Sequence, residues 1–220
     1  MELSPDRIII ADLGAVQINA TLAFSWLVMA ILVIGSWLVT RNLSTGPELS
    51  RWQNVLETIV SAIRGQIHDV TGEKTDRYLP FIGTLFLFIS VANFLDIFPG
   101  YEPPTGSLST TAALAVCVFI AVPFFSITER GIGHYLRSYV RPSPIMLPFN
   151  IISELSRTLA LAVRLFGNIL SGRILVAIII TLVPLFLPTV LQIFGLVIGQ
   201  IQAYIFAVLA TVYIASAAHD

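Results

Sequence analysis

Charged residues are scarce in this chain of 220 residues, because Asp, Glu, Lys and Arg together make up only 11% of it. Soluble domains carry about 25% charged residues, so a soluble globular domain is excluded. The formal net charge of −1 excludes a strongly basic nucleic-acid-binding protein. Cysteine occurs once, at Cys117 inside an apolar run, which excludes a disulfide framework and a cysteine metal site.

The signatures of an intramembrane enzyme are also missing. The histidines His68, His134 and His219 lie outside the apolar runs, and neither HExxH nor GxSxG occurs. The chain has no internal repeat of the kind that many secondary transporters show. We therefore expect no catalytic centre, no metal and no cofactor. An unrelated membrane channel or transporter subunit stays open as an alternative.

What the sequence does have is apolar residues, which make up 56% of it and form five long segments. Each segment is long enough for a membrane-spanning helix, which needs about 20 residues. The predicted spans are 20–39, 78–98, 108–128, 145–181 and 189–218. The sequence predicts an all-α membrane protein with five transmembrane crossings, in which residues 1–220 form a single membrane domain.

The last two spans are too long to cross a membrane upright. A helix over 145–181 would be roughly 54 Å long, whereas the hydrocarbon core of a bilayer is about 30 Å thick. The stretch VPLFLP, with Pro184 and Pro188, separates this helix from span 189–218 as a tight bend. We expect two long, strongly tilted helices that wrap around a partner surface.

Residues 47–70 form a sixth predicted helix of a different character. Apolar residues recur at three- and four-residue spacing along one face, and charged residues lie elsewhere. This pattern favours an amphipathic helix that lies in the cytoplasmic membrane interface. A helix that packs on the rest of the protein is the alternative.

Basic residues lie mainly on one side of the predicted spans. Five Lys or Arg residues fall between the first and second spans and three fall within 129–142, whereas only Arg7 lies on the opposite side. Cytoplasmic loops carry such an excess of basic residues. The N-terminus is therefore expected outside and the C-terminus in the cytoplasm.

One face of the predicted helix 145–181 is polar. It carries Arg157, Ala160, Arg164, Asn168 and Ser171, which share this face at about 100° per residue. Arg164 lies near the middle of the span, and a central arginine costs at least about 2.5–3.5 kcal/mol on insertion scales. It is expected to face a partner, a cavity or an ion path. Glu154, about 15 Å away along the helix, is the alternative partner within the chain.

The last span carries polar and small residues of its own. They are Gln192, Gly195, Gly199, Gln200, Gln202 and Ala203. The ridge of Gly195, Gly199 and Ala203 has small-xxx-small spacing, which predicts close packing against the preceding long helix. The glutamines are expected either to line a wet crevice, with Gln192 among them, or to hydrogen-bond to neighbouring helices.

Several motifs closely resemble the family of a subunits of F-type ATP synthases. They are RLFGN at 164–168, PFNIISELS at 148–156, IQAYIFAVLATVYIASA at 201–217, NFLDIFP at 93–99 and PPTGSLSTTAALA at 103–115. The resemblance implies a membrane stator subunit beside a rotating c-ring, with two half-channels for protons and with b subunits of the peripheral stalk as partners. It also implies a bacterial plasma membrane or a thylakoid membrane.

The resemblance assigns roles to single residues. Arg164 matches the arginine that faces the ring carboxylates, and Gln202 matches a glutamine that faces this arginine. Asn168 matches an asparagine near the ion path. Asp96 matches an acidic residue near the outer entrance, and Glu154 matches one near the cytoplasmic exit.

Two positions depart from the family. Many bacterial members have Glu nine residues after the arginine, where this chain has Arg173, and some have His where it has Gly195. The departures leave open a sodium-translocating N-type branch. Arg173 lies half a turn from Arg164 in phase, so it is expected to face the chain's own helices. We expect it to pair with Asp96 or Glu102, the acidic residues near the outer ends, or else to reach the outer interface.

Overall fold

The computed structural model describes most of the chain, namely residues 9–12, 17–41, 51–72, 75–98, 100–133, 135, 145–183 and 186–219. Some features of the sequence analysis lie outside these residues: Arg7, His134, Pro184, positions 47–50 of the amphipathic helix and most of the basic stretch 129–142.

The six predicted helices are all present. They are α1 (Ala20–Thr40), α2 (Arg51–Thr71), α3 (Thr75–Phe94), α4 (Leu108–Arg130), α5 (Met146–Leu182) and α6 (Leu187–His219). Every one of them except α2 is long and apolar enough to cross a membrane, which gives five candidate spans among the described residues. The predicted all-α membrane fold is confirmed, and α5 runs through Arg164 without a break.

A short pair of strands precedes α1 and was not predicted. β1 (Ile9–Asp12) and β2 (Gln17–Asn19) are antiparallel, and Asp12 lies opposite Gln17. Segments of 4 and 3 residues are too short to show the alternating pattern by which a strand is recognised from sequence. Because α1 begins directly after β2, the strand pair lies at the N-terminal end of the first span.

The connection between α3 and α4 is folded rather than extended. Two 3₁₀ turns lie in it, Leu95–Ile97 and Pro104–Gly106, and residues 95–98 with 100–107 are called the α3–α4 turn below. Gly100 has φ of 90°, in the left-handed region that favours glycine. Ser107 then caps α4 by accepting a hydrogen bond from the backbone N–H of Ser109 at 3.2 Å.

The apolar core lies between α3, α4, α5 and α6. Its most buried side chains are Ile82, Ile89, Val118, Leu161, Leu165, Phe206 and Ile214. The helix α5 contributes just three buried residues, Leu161, Ala162 and Leu165, and α1 contributes Ala20, Thr21 and Val28. Large apolar side chains therefore cover much of the bundle surface. Val33 and Trp26, for example, are 68% and 57% exposed. A lipid environment or a partner chain accounts for such a surface.

The amphipathic helix α2 packs on this bundle. Ile63 and Ile67 are buried in the same core cluster as Tyr78, and the Gln66 side chain accepts a hydrogen bond from the Tyr204 hydroxyl. This contact matches the alternative interpretation, a helix that packs on protein. Its position in the membrane interface stays a prediction.

The predicted packing of α5 against α6 along the small-residue ridge is wrong at Gly195 and Gly199. The two helices do meet, since Leu161 and Leu165 share the core with Phe206. However, a Cβ on Gly199 would lie 3.2 Å from side-chain atoms of Asn93 in α3, and a Cβ on Gly195 would have nothing within 4 Å. The close approach at Gly199 therefore belongs to the α3–α6 contact. The steep tilt of α5 and α6 stays a prediction.

Candidate functional site

Arg164 lies on the outer face of the bundle. The residue is exposed, as are Arg157 and Ser171 on the same helical face, while Leu161 and Leu165 on the other side of α5 are buried. Within the described part of the chain, no hydrogen bond or ion pair reaches its guanidinium. An arginine thus lies near the middle of a 37-residue apolar helix, on the surface and without a partner from the described residues.

The alternative of a carboxylate partner within the chain is not supported. Glu154 is half-buried, its backbone carbonyl accepts a hydrogen bond from the Thr158 hydroxyl at 3.0 Å, and no ion pair joins it to Arg164 in the described residues. Arg157 has a partner of another kind, because its guanidinium carbon lies 5.5 Å from the centre of the Tyr213 ring. Such a cation–π contact stabilises a cation by about 0.5–2 kcal/mol.

Arg173 faces inward, and its expected pairing is confirmed. Its Nη2 lies 3.9 Å from Oδ1 of Asp96, and its Nη1 lies 3.7 Å from Oε2 of Glu102. The guanidinium also lies against the backbone of the α3–α4 turn, since a Cβ on Gly106 would be 3.5 Å from Nη1. The position of the acidic residues near the outer ends predicted one carboxylate or the other, and the structure brings both to the same arginine.

The three charged groups form a partly enclosed cluster with a formal net charge of −1. Their side chains are 23%, 48% and 29% exposed for Arg173, Asp96 and Glu102. Tyr101 lies beside them, and its ring packs edge-on against Phe24 with 4.9 Å between centroids. Burial raises the pKa of the Tyr101 phenol, and the Asp96 charge raises it further, so the phenol stays protonated. Its hydroxyl is buried and has no hydrogen-bond partner in the described residues.

A chain of hydrogen bonds connects the α3–α4 turn to α6. The Thr105 hydroxyl donates to Oδ1 of Asn93 at 3.3 Å, and Nδ2 of Asn93 donates to the backbone carbonyl of Gly199 at 2.8 Å. One turn earlier on α3, Nε2 of Gln200 donates to the Ser90 carbonyl at 2.9 Å, and the Ser90 hydroxyl donates to the Gln200 amide oxygen. The sequence marked Asn93 and Gln200 as polar but gave no sign of their partners.

Among the described residues, no hydrogen bond or ion pair joins the other predicted site residues to the Arg173 cluster. Asn168 is half-buried on α5, and its carbonyl accepts a hydrogen bond from Ser171 at 3.0 Å. Gln202 is buried, and its Nε2 has no hydrogen-bond partner in the described residues. Gln192 is exposed near the start of α6. Nine residues of helix, or roughly 13.5 Å, separate Arg164 from Arg173. The structure therefore holds two distinct charged regions on α5.

A buried carboxylate at the other end of α3 and α4 escaped the sequence analysis. The Glu129 side chain is 3% exposed and accepts a hydrogen bond from the Tyr78 hydroxyl at 2.5 Å, and Nη1 of Arg77 lies 4.0 Å away. Because Tyr78 and Glu129 are 51 residues apart, no local pattern could have revealed the contact.

Comparison with known proteins gives a consistent result. The family model described as ATP synthase A chain matches residues 22–215. The chain is 62% identical over 216 residues to "ATP synthase subunit a 1" of Crocosphaera subtropica, which covers 98% of this chain and 94% of the relative. It is also 58% identical over 217 residues to "ATP synthase subunit a" of Albidiferax ferrireducens, covering 99% and 94%.

Proposed function

The chain belongs to the ATP synthase A chain family, and on this basis we propose that it provides two ion half-channels and presents Arg164 to the carboxylates of a rotating c-ring. Membership of the family supports the role of stator subunit in the membrane sector. The chain does no covalent chemistry of its own in this role. Its proposed partners are the c-ring and the b subunits of the peripheral stalk.

One observation carries the proposal, namely that Arg164 is exposed and has no partner among the described residues. A guanidinium does not lose its proton in a protein, so its charge is permanent. Insertion of such a charge at the centre of a membrane costs at least about 2.5–3.5 kcal/mol. A carboxylate that passes on a neighbouring chain offsets this cost, and the guanidinium in turn stabilises the ionised carboxylate.

The fixed charge also separates the two half-channels. A cation that moved straight from one to the other would have to pass the guanidinium, which repels it. The ring carboxylate must therefore carry the ion around, because only the neutral, ion-loaded form leaves the arginine for lipid. Asn168 and Gln202 are proposed to line the ion path close to Arg164.

The two half-channels are assigned to the two sides of Arg164 along α5. The outer one is proposed at Asp96 and Arg173, with Gln192 further out, and the cytoplasmic one at Glu154. This assignment uses the excess of basic residues between the first and second predicted spans, α2 included, and in the connection after α4, which favours a cytoplasmic location for them. The N-terminus is then outside, in a bacterial plasma membrane or a thylakoid membrane.

The transported ion is proposed to be the proton, and sodium is the second candidate. Arg173 replaces a Glu that many family members have in the outer half-channel, and this departure favours the second candidate. ATP-driven pumping in membrane vesicles, measured with and without sodium in the presence of a protonophore, separates the two. Pumping that needs sodium and survives the protonophore contradicts proton transport.

Substitution of Arg164 tests the role itself. Arg164→Gln is expected to leave the complex assembled and to abolish ion-driven ATP synthesis. Arg164→Lys is expected to fail as well, because an ammonium is compact and loses its proton more readily when buried. Arg64→Gln is the matched control, since Arg64 forms an exposed ion pair with Asp76 at 2.7 Å on the bundle surface. Normal ATP synthesis in Arg164→Gln would overturn the proposal.

A further inference from the structure

We infer that Arg173 is a positioning residue of the outer half-channel, which bridges Asp96 and Glu102 and weakens the affinity of this cluster for the transported cation. The inference rests on the proposed function, because it takes the cluster to lie on the outer ion path. It concerns a residue at which this chain departs from the pattern of its family.

The geometry assigns this role to Arg173 rather than a role as ion carrier. Its guanidinium does not release a proton, so it does not hand an ion onward. It bridges two carboxylates at 3.9 Å and 3.7 Å, and each of these belongs to the α3–α4 turn while Arg173 belongs to α5. A positive charge at such a distance opposes the attraction between either carboxylate and an entering cation. The arginine therefore acts on both carboxylates at once.

Charge within the cluster determines how strongly it attracts a cation. The titratable and charged groups that face one another here are Asp96, Glu102, Arg173 and the Tyr101 phenol, which stays neutral because burial raises its pKa. With Arg173 in place, an entering cation meets one net negative charge. Without it, the cation meets two, and it is released toward the ring more slowly.

A purely structural role for Arg173 makes a different prediction. The arginine also ties α5 to the α3–α4 turn, so its loss could simply loosen the helix contact. A loosened contact lowers the amount of assembled complex or its maximal rate. It leaves the concentration of cation that gives half the maximal rate unchanged, because the charge at the entrance is then irrelevant to binding.

The experiment measures ATP synthesis by the whole complex in vesicles while the outer concentration of the transported cation is varied. Arg173→Gln is expected to lower the half-saturating concentration about tenfold, which corresponds to the smaller of the effects that a neighbouring charge exerts. Glu102→Gln is expected to raise it severalfold, because one carboxylate then has the guanidinium to itself. Arg173→Lys keeps the charge and is expected to stay within about threefold of the parent value.

Opposite shifts for the neutral variants of Arg173 and Glu102 support the inference, and unchanged half-saturation in both overturns it. If the complex with Arg173→Gln does not assemble, the other two variants test the inference. A raised half-saturating concentration in Glu102→Gln together with a nearly unchanged one in Arg173→Lys supports it, and an unchanged one in Glu102→Gln overturns it. Arg64→Gln serves as the control for loss of an arginine from an ion pair elsewhere. The Arg164→Gln variant separates the two proposals: if it is inactive while Arg173→Gln and Glu102→Gln keep the parent half-saturation, only the present inference fails.

Discussion

The contact between Gly199 and Asn93 leads to a prediction about helix packing that has a control on the same helix. A methyl group added at Gly199 would lie 3.2 Å from Cβ, Cγ and Nδ2 of Asn93. Asn93 cannot withdraw freely, because its Nδ2 donates to the Gly199 carbonyl at 2.8 Å and its Oδ1 accepts from Thr105 at 3.3 Å. A methyl group added at Gly195 would meet nothing within 4 Å.

Substitution by alanine is expected to change the free energy of unfolding in opposite directions at the two glycines. Overpacking of a close contact costs about 1–3 kcal/mol, and the hydrogen bond between helices that must lengthen is worth about 0.6 kcal/mol within a membrane. Alanine is favoured over glycine in a helix by about 0.5–1 kcal/mol. Gly199→Ala is therefore expected to destabilise the chain by about 1–3 kcal/mol, and Gly195→Ala to stabilise it by up to about 1 kcal/mol.

Unfolding of the purified chain by added dodecyl sulfate in mild detergent micelles, followed by far-ultraviolet circular dichroism, measures both changes. Asn93→Ala completes the test, because it removes the atoms that the new methyl group would meet. Gly199→Ala in the Asn93→Ala background is then expected to lose most of its cost, which is a coupling of 1 kcal/mol or more between the two sites. Additive effects of Gly199→Ala and Asn93→Ala on the free energy of unfolding would refute the packing explanation. Equal effects of Gly195→Ala and Gly199→Ala would refute it as well.

Three further predictions follow from other contacts. Tyr78→Phe removes the hydrogen bond to the buried Glu129 carboxylate and is expected to cost about 1.5–3 kcal/mol of stability in the same unfolding assay, and an unchanged midpoint contradicts this. Arg64→Gln breaks an ion pair whose side chains are 57% and 74% exposed, so its effect on stability is expected to be below about 1 kcal/mol in the same assay. The helices α5 and α6 are expected to lie well beyond the usual tilt of about 20° from the membrane normal, and spin-label depth measurements along α5 in lipid nanodiscs that show it upright would disprove this.

The sequence was a good guide wherever the signal is local along the chain. The five spans lie close to their predicted bounds, because length and apolarity decide whether a segment crosses a membrane. The pairing of Arg173 was also accessible, since the phase of α5 is fixed by 100° per residue and few carboxylates lie near that end of the bundle.

Contacts that depend on how the helices rotate against one another were not accessible. The spacing of Gly195, Gly199 and Ala203 showed that some backbone approaches closely, but it did not say which helix provides the neighbour. The partner proved to be Asn93 in α3, 106 residues away along the chain. Side-chain rows on several helices are compatible with one ridge, so only the packed bundle selects among them.

The two arginines nine residues apart on α5 lie in different surroundings. Arg173 points into the bundle, where two carboxylates of the chain itself offset its charge. Arg164 points outward from a helix that buries only Leu161, Ala162 and Leu165 in this chain. A carboxylate of its own bundle would hold Arg164 permanently and block exchange with a passing one. In the role proposed for Arg164, the arginine releases its partner in each cycle, so that partner has to lie on a neighbouring, moving surface. The exposed position of Arg164 on α5 is compatible with this proposal.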